Sequence, residues 1–172
     1  MIQLAALCQE RHSAQEMPQN AEIVISSEAE MTALGARIAR HLTAGDTVLL
    51  SGVIGAGKTH LCRAIIRSLL GKEEEIPSPT YTLVQTYEGP ECEVWHADLY
   101  RLSDSSELIE LGLDEAMNSA IVLIEWPDRL PDSIRPENAL EIDIIPDGDG
   151  RIVTLCTACK HLGKLLGSLS DE

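Results

Sequence analysis

The sequence predicts an α/β fold, in which helices flank a mixed, mainly parallel sheet and form three layers with it. Two observations carry this prediction. An apolar strand over 46–51 leads through a glycine-rich turn into a helix over 60–70, and this is the unit that builds parallel sheets. The run 120–124 is fully apolar, as in a central strand that is buried on both faces. Such a strand needs helices on both sides of its sheet.

The remaining segments complete the predicted sheet. A short strand over 22–26 precedes a helix for which Ser27 is the expected N-cap, with Glu30 closing a capping box. Alternating apolar residues predict antiparallel strands within 82–97 and within 140–157. Two more helices are expected, one after Asp104 near 107–111 that breaks at Gly112, and a last one over 160–169.

Composition limits the class of protein. The 172 residues suit one domain. We place it at 21–172, after an N-terminal extension over 1–20 that lacks periodicity and is expected to be flexible. Thirteen basic and 28 acidic residues give a net charge of −15, which argues against a surface that grips nucleic acid and fits docking onto a basic partner. Because no apolar run approaches the roughly 20 residues of a membrane span and no secretory segment is recognisable, we expect a cytoplasmic protein without a membrane partner.

Residues 52–59 read Gly-Val-Ile-Gly-Ala-Gly-Lys-Thr and fit the Walker A pattern. Glycine accepts backbone dihedrals that are closed to other residues, so the N–H groups of such a loop can turn inward around a phosphate. Lys58 supplies a point charge for the β- and γ-oxygens of a triphosphate, and the Thr59 hydroxyl is a hard ligand suited to Mg²⁺. With its flanking strand and helix, the motif predicts a P-loop NTPase domain. The expected nucleotide-binding residues are Gly52, Ile54, Gly55, Ala56, Gly57, Lys58, Thr59 and His60.

Two acidic residues stand where strands end. Glu125 follows the apolar run 121–124, the usual position of a carboxylate that holds Mg²⁺ directly, acts through a metal-bound water, or orients the attacking water. Asp98 ends a short strand and is a second candidate for positioning the attacking or the metal-bound water. The sequence leaves the division of roles between the two carboxylates open.

The loop after the Walker helix contains Ser-Pro-Thr-Tyr-Thr at 78–82. GTPases carry a switch at this place, whose threonine senses the γ-phosphate and Mg²⁺. Thr80 or Thr82 is the candidate for that role. On the pattern alone, a proline-shaped turn that leads into a strand is the better interpretation.

ATP is expected over GTP, because the guanine-reading pattern Asn-Lys-x-Asp is absent. Arginines are few, and Arg101 and Arg129 are the ones close in sequence to the acidic strand ends. No arginine-rich lid is visible such as small-molecule kinases use. The missing arginine finger predicts slow hydrolysis by the protein alone and activation by a partner.

Cys156 and Cys159 form the one C-x-x-C pair of the chain. A zinc site needs a second pair of ligands, for which Cys92 and His96 are the nearest candidates. The simpler interpretation is that these thiols lie in and after a strand.

Five segments together resemble the TsaE (YjeE) family of small bacterial P-loop ATPases. Their order and spacing extend over about residues 22–165, and the second and third segments are far more specific than a Walker A loop. The segments are Gly-Ala-Gly-Lys-Thr at 55–59, Ser-Pro-Thr-Tyr-Thr-Leu-Val at 78–84, His-Ala-Asp-Leu-Tyr-Arg-Leu at 96–102, Glu-Leu-Gly-Leu-Asp-Glu at 110–115 and Ile-Glu-Trp-Pro at 124–127.

The resemblance implies a role in making threonylcarbamoyladenosine, the tRNA modification beside the anticodon. A family member is expected to bind a TsaB–TsaD heterodimer, in which TsaD transfers the threonylcarbamoyl group, and to bind and hydrolyse ATP so that turnover repeats. It would meet tRNA only through that complex. By position, Lys58 and Thr59 would hold phosphate and Mg²⁺, Glu125 would be the second Mg²⁺ ligand, Asp98 would be needed for hydrolysis, Thr80 would belong to the switch-like loop and Trp126 would lie close to the nucleotide.

Two other functions are compatible with a Walker loop. A small-molecule kinase would use Asp98 as the base for its acceptor, but the missing arginine lid argues against it. A nucleotide-dependent adaptor would hold a complex together in its ATP-bound shape without needing hydrolysis. An Asp98 variant that binds ATP but cannot sustain turnover would exclude the adaptor.

Overall fold

The computed structural model describes residues 19–72, 75–104 and 106–170 of the chain. Seven strands, five α-helices and one turn of 3₁₀-helix lie within these ranges. The strands are β1 (Gln19–Ile25), β2 (Thr47–Gly52), β3 (Val84–Glu88), β4 (Glu93–Asp98), β5 (Ile121–Glu125), β6 (Leu140–Asp147) and β7 (Gly150–Thr157). The helices are α1 (Glu28–Ala39), α2 (Lys58–Leu70), α3 (Ser106–Glu110), α4 (Leu113–Ser119) and α5 (Lys160–Ser170), with the 3₁₀ turn at Pro127–Arg129.

The strands form one sheet in the order β1-β7-β6-β2-β5-β4-β3. The central four strands, β6, β2, β5 and β4, pair in parallel. Antiparallel pairs complete both edges, where β7 joins β6 and β1 on one side and β3 joins β4 on the other. The predicted mixed sheet is confirmed. The antiparallel pairs predicted within 82–97 and within 140–157 are β3–β4 and β6–β7.

Helices cover both faces of this sheet. Along β2, Val48 and Leu50 belong to the core beneath α1, α2 and α5, whereas Leu49 belongs to the core beneath α3 and α4. All five residues of β5 are buried, because a central strand with helices on both sides has no solvent-facing side. The predicted three-layer α/β architecture is therefore confirmed.

The carboxyl ends of the parallel strands meet at one edge of the sheet. Leu50 of β2 is paired with Glu125 of β5, and Glu125 is paired with Asp98 of β4. The three segments that follow these strands consequently leave the sheet side by side. This is the edge at which open α/β sheets bind their ligands.

The strand predicted from residue 82 begins later than expected. Thr82 and Leu83 both donate their backbone N–H to the carbonyl of Pro79, at 3.1 and 2.8 Å, and Leu83 has a φ of 63°. The turn takes up these two N–H groups, so paired residues begin only at Val84, although the Leu83 carbonyl already accepts from the backbone N–H of Asp98 at 2.9 Å. The prediction of a strand over 82–83 is wrong because the hydrogen bonds of the proline-shaped turn replace those of the ladder.

The predicted break at Gly112 is present, but a further helix, which was not predicted, follows it at once. Gly112 has a φ of 75° and stands before α4 as its N-cap residue. α3 and α4 are thus two short helices separated by two residues, Leu111 and the left-handed Gly112. None of the helices in the described part of the chain is long and apolar enough to cross a membrane.

The start of α1 agrees with the predicted capping box in all but one contact. The Ser27 hydroxyl accepts a hydrogen bond from the backbone N–H of Glu30 at 3.2 Å. The Glu30 carboxylate in turn accepts from the backbone N–H of Ser26 at 2.7 Å, one residue before the cap itself. Two N–H groups are satisfied at this helix end, as in the regular motif.

The predicted N-terminal extension lies almost wholly outside the described residues. Gln19 and Asn20 are the exception, since they begin β1 and are paired with Thr157 and Cys156 of β7. A flexible extension and a single domain over 21–172 stay predictions.

Candidate functional site

The glycine-rich segment forms the loop between β2 and α2. Gly52 has a φ of 135°, and a Cβ at this position would lie 2.5 Å from the carbonyl oxygen of Ile144 on β6. Gly57, the N-cap residue of α2, has a φ of 114°. Both positions require glycine because other residues rarely adopt these angles. The loop therefore presents backbone N–H groups and the positive end of α2 at one point.

Lys58 lies almost fully buried at the start of α2, with an exposed fraction of 4%. Its Nζ donates to the carbonyls of Gly52 and Val53, at 2.7 and 3.0 Å. The same Nζ sits 3.9 Å from the centre of the Trp126 ring. Burial lowers the pKa of Lys58, and the nearby carboxylates of Glu125 and Asp98 oppose that shift. A buried ammonium held by neutral carbonyls and one ring is suited to take up an anion.

The two oxygens of Glu125 contact different partners. The Thr59 hydroxyl donates to Oε2 at 2.8 Å, and His96 Nε2 lies 2.9 Å from Oε1. Because a carboxylate oxygen accepts hydrogen bonds, the imidazole donates in this contact. His96 and Glu125 are both buried. His96 thus fixes the carboxylate so that Oε2 points towards Thr59 and the loop.

Cys62 of α2 closes the back of the site. Its Sγ lies within 4.8 Å of ligand atoms of His96 and Glu125. Burial, followed by the charges of Glu125 and Asp98, raises the pKa of the Cys62 thiol well above its ordinary value. The thiol therefore stays protonated and acts as a small apolar neighbour of the buried His96–Glu125 pair.

Asp98 ties the segment 78–82 to the sheet edge. Its Oδ2 accepts a hydrogen bond from the Thr80 hydroxyl at 2.9 Å, and its Oδ1 accepts from the backbone N–H of Tyr100 at 3.0 Å. Ser78 and Thr80 are joined through their hydroxyls at 2.8 Å. Of the two threonines considered for a switch-like role, the structure brings Thr80 and not Thr82 to a carboxylate.

Trp126 has an unusual backbone for a bulky residue, with a φ of 61°. Its N–H donates to Leu50 of β2 at 3.2 Å, and its ring lies 4.9 Å from that of Tyr100. These contacts hold the indole over Lys58. Strained conformations of this kind tend to occur at functional sites.

These side chains surround a cleft of about 340 Å³. The cleft gathers most of the residues that the sequence singled out, while Gly52 and Ala56 contribute elsewhere in the loop. Of the two arginines considered, Arg101 reaches the cleft, and Arg129 is absent from its lining. The lining residues are Ile54, Gly55, Gly57, Lys58, Thr59, His60, Thr80, Asp98, Tyr100, Arg101, Glu125 and Trp126.

A second recess of about 400 Å³ lies on the other side of the same loop. Gly55, Ala56, Gly57 and His60 border it, and Gly55, Gly57 and His60 also line the cleft, so the two spaces adjoin at the loop. Arg151 of β7 donates from Nε to the carbonyl of Ala56 at 2.9 Å. The rest of the lining comes from the β1–α1 junction and the β6–β7 hairpin, namely Ile25, Ser26, Ser27, Glu28, Met31 and Asp149.

His96 and Arg151 belong to the site, although neither was predicted to do so. A signal existed for His96, because residues two apart on a strand share a face, and His96 stands two before Asp98 on β4. No local signal existed for Arg151, which meets the loop across 95 positions of sequence.

The zinc alternative for the C-x-x-C pair is wrong. Cys159 follows β7, whereas His96 lies on β4, and β6, β2 and β5 stand between those strands. Four strand spacings amount to roughly 19 Å, too far for ligands of one ion. His96 instead contacts Glu125.

Comparison with known proteins identifies the family. Residues 25–153 match the family described as "Threonylcarbamoyl adenosine biosynthesis protein TsaE". The chain belongs to the TsaE family. It is 37% identical over 136 residues to the tRNA threonylcarbamoyladenosine biosynthesis protein TsaE of Rickettsia felis, covering 78% of this chain and 79% of that protein. The TsaE of Haemophilus influenzae is 36% identical over 146 residues, covering 81% of this chain and 90% of its relative.

The TsaE fold is also seen in a solved structure. The crystal structure of YdiB from Bacillus subtilis aligns with a TM-score of 0.70 and 25% identity, covering 91% of this chain and 98% of that one. The family resemblance and the P-loop NTPase fold expected from the sequence are both confirmed. All of the residues carried over from TsaE lie inside the matched range.

Proposed function

We propose that this protein is the ATP-binding and ATP-hydrolysing subunit for threonylcarbamoyladenosine modification of tRNA, acting in the cytoplasm with a TsaB–TsaD complex. One observation carries the proposal: in a chain of the TsaE family, Lys58, the Thr59–Glu125 pair and the Thr80–Asp98 pair converge on one cleft at the glycine-rich loop. The ammonium would bind phosphate oxygens, and the hydroxyls and carboxylates would hold a metal ion and position an attacking water, as in other phosphoryl transfers.

Lys58 and the loop would bind the phosphates. The ammonium now donates to two carbonyls of its own loop, and charged phosphate oxygens are stronger acceptors than these carbonyls. A triphosphate would therefore draw Nζ towards its β- and γ-oxygens. The loop N–H groups and the N-terminus of α2 would bind the same phosphates from below.

The donor set fits Mg²⁺. Thr59 Oγ1 and Glu125 Oε2 are both hard oxygens, 2.8 Å apart, and such oxygens are the ligands that Mg²⁺ prefers. His96 holds the other carboxylate oxygen, which leaves Oε2 for the ion. When bound, Mg²⁺ would neutralise charge on the β- and γ-phosphates. We assign Thr59 and Glu125 to the metal.

Asp98 would position the attacking water. It is paired with Glu125 across β4 and β5 and is buried to 5% exposure. Glu125 is held by Thr59 and His96 in the place assigned to the metal ion, so we assign the water to Asp98. Thr80 donates to it and would exchange that bond for one to the γ-phosphate or the water, as switch threonines do.

The nucleoside would occupy the recess beside the loop. Met31 and Ile25 offer apolar surface for a base, and Ser26, Ser27 and Glu28 offer polar groups at its edge. His60, which borders both spaces, would stand where the nucleoside joins the phosphates. This arrangement suits a purine, whose faces are apolar and whose edges form hydrogen bonds.

Hydrolysis by the protein alone should be slow. Arg101 is the one arginine that lines the cleft among the described residues, and it stacks on the exposed Tyr81 ring at 4.8 Å. We expect this contact to keep the guanidinium from the phosphate oxygens beside Lys58. The partner complex would supply or position the missing charge.

The test is ATP hydrolysis by the purified protein, alone and with TsaB and TsaD. We expect weak activity alone, clear stimulation by the partners, and loss of both in Lys58→Ala, with Lys164→Ala on the exposed side of α5 as the matched control. Phosphate transfer to a metabolite in place of ADP release to water would support a kinase.

A second variant separates hydrolysis from binding. Asp98→Asn should bind ATP within about threefold of the wild type but hydrolyse it about 100-fold more slowly, since the water is no longer held by a charge. The exposed Asp132→Asn is its control. If Asp98→Asn sustains repeated tRNA modification at the normal rate, the protein is a nucleotide-dependent adaptor.

A further inference from the structure

A second group of chemically active side chains lies at the other end of the central strands, away from the glycine-rich loop. Asp46 directly precedes β2, and Cys159 and His161 follow β7. The glycine-rich loop stands at the other end of β2. The ligand atoms of Asp46, Cys159 and His161 lie within 4.8 Å of one another, although the first is more than 110 positions distant in sequence. Nothing in the nucleotide chemistry uses this cluster.

The three side chains form a chain of hydrogen bonds. Cys159 Sγ lies 2.9 Å from His161 Nδ1, and His161 Nε2 lies 2.8 Å from Asp46 Oδ2. A carboxylate accepts, so the ring carries its hydrogen on Nε2 and donates it to Asp46. The other nitrogen of a neutral imidazole then presents its lone pair to the thiol. Nδ1 is thus placed to take the proton of Cys159.

The cluster is anchored at one end and open at the other. Oδ2 of Asp46 also accepts from the backbone N–H and hydroxyl of Thr43, at 2.7 and 3.0 Å. The side chain of Asp46 is 9% exposed, while that of His161 is 44% exposed, and Cys159 is half-buried. A fixed carboxylate therefore orients an imidazole whose thiol partner can be reached from solvent.

We propose that Cys159 is a nucleophilic thiol that undergoes exchange with small disulfides. Its proton passes to His161 Nδ1, and the thiolate attacks one sulfur of the disulfide. A new bond forms between Cys159 Sγ and that sulfur as the original S–S bond breaks. The other half leaves as a thiolate and takes up the proton from His161. The disulfide is itself the oxidant, so no further reactant is needed.

A disulfide suits this cluster better than an acyl group or a metal ion. Acyl transfer forms an oxyanion that needs hydrogen-bond donors to stabilise it. Disulfide exchange forms only a thiolate, which is stable without such donors. A metal ion would compete with the hydrogen bonds in place, because both ring nitrogens are engaged and Oδ2 already accepts three hydrogen bonds. Sγ and Nδ1 alone would leave zinc short of its usual four ligands.

The experiment compares two thiols in the full-length protein. After treatment with a chelator at about pH 7, the protein is exposed to 4,4′-dithiodipyridine or to glutathione disulfide, quenched at intervals and mapped by peptide mass spectrometry. Cys92 is the internal reference, since it is also half-buried but has no histidine contact among the described residues. We expect Cys159 to react at least about tenfold faster than Cys92.

A variant identifies the source of the reactivity. His161→Gln keeps a polar side chain at an exposed position and should slow Cys159 about tenfold without changing Cys92. If the substitution only loosened the structure, Cys159 and Cys92 would both react faster. Cys159→Ser confirms the assignment of the labelled peptide.

Two results would overturn the proposal. Equal rates for Cys159 and Cys92 in the wild type would show that the imidazole does not activate the thiol. Slow reaction of Cys159, together with a cobalt–thiolate absorption band that is lost in Cys159→Ser, would make the cluster a metal site instead.

Discussion

The Glu125 carboxylate holds the candidate site together through its two oxygens. One oxygen contacts the buried His96, and the other accepts from Thr59 at the start of α2. A carboxyl group that was free to rotate would present either oxygen to the loop. The contact with His96 removes that freedom, so a donor for a metal ion is already oriented before any ion binds.

At the residue scale, Glu125→Gln should separate metal binding from nucleotide binding. The amide keeps the shape of the side chain but removes the charge that would hold Mg²⁺. We expect the enhancement of ATP affinity by Mg²⁺, measured by calorimetry with and without the ion, to fall about tenfold or more. The same substitution at the exposed Glu115 is the control. An undiminished effect of Mg²⁺ would contradict the assignment of Glu125.

Also at the residue scale, Lys58 should lower the stability of the nucleotide-free protein. Burial lowers its pKa, which means that the charged form is less favourable in the fold than in water. Lys58→Met keeps the volume and removes the charge. We expect it to raise the free energy of unfolding by about 1 kcal/mol near neutral pH, measured by urea denaturation, while ATP binding is lost.

The pH dependence of this effect has a definite sign. Below the folded-state pKa of Lys58 both states are charged, and the whole cost of burying the charge is present. As pH rises towards the ordinary value of about 10.4, the folded protein loses its proton first, so the unfolded state binds more protons and wild-type stability increases. The advantage of Lys58→Met should therefore shrink as pH rises. If the stability gain of Lys58→Met grew with pH, the buried charge of Lys58 would not be the cause of that gain.

At the element scale, the glycine-rich loop depends on how closely β2 approaches β6. A Cβ on Gly52 would lie 2.5 Å from a backbone oxygen, where no side chain can move aside, and its φ of 135° excludes other residues. The start of the loop is consequently fixed by the sheet and not by the loop itself. This rigidity keeps Lys58 and Thr59 in place at the first turn of α2.

Gly52→Ala should accordingly destabilise the protein by about 2–4 kcal/mol, as measured by chemical denaturation. Gly167→Ala is the matched substitution, since a Cβ there meets open space within α5. That change should stabilise the protein by about 0.5–1 kcal/mol, because alanine is the better helix former. Similar losses for both variants would show that the clash with Ile144 does not determine the effect.

At the scale of the whole molecule, the two proposed reactive sites lie at opposite ends of the central strands. The proposed ATP site lies beyond the carboxyl ends of β2, β4 and β5, and the Cys159–His161–Asp46 cluster lies at the opposite edge. The net charge of −15 belongs to the molecule as a whole and favours a basic partner surface.

We predict that association with the TsaB–TsaD complex weakens as salt increases. Between roughly 0.05 and 0.3 M salt, screening should reduce the affinity about tenfold, mainly through a slower association rate. Surface plasmon resonance measures both rates, and the melting temperature of the isolated protein is the control for effects on folding. Affinity that is constant or rises with salt would indicate an apolar interface instead.

The order of the elements was predictable because its signals are local. The apolar run before Glu125 and the strand–loop–helix unit around Lys58 depend only on neighbouring residues, and both are present as expected. The strand start at residue 82 was not predictable, because the turn at Pro79 and the ladder of β3 compete for the same N–H groups. Only their actual geometry decides which bonds form.

The sequence by itself determined the family, the α/β class and the candidate phosphate-binding residues, since motifs with fixed spacing encode them. Tertiary structure decided which distant groups meet. It placed His96 on Glu125, Arg151 on the loop carbonyl of Ala56, and Asp46 beside His161. Such contacts depend on the order of strands in the sheet. The spacing of residues along the chain does not predict that order, because helical crossovers and hairpins bring remote strands side by side.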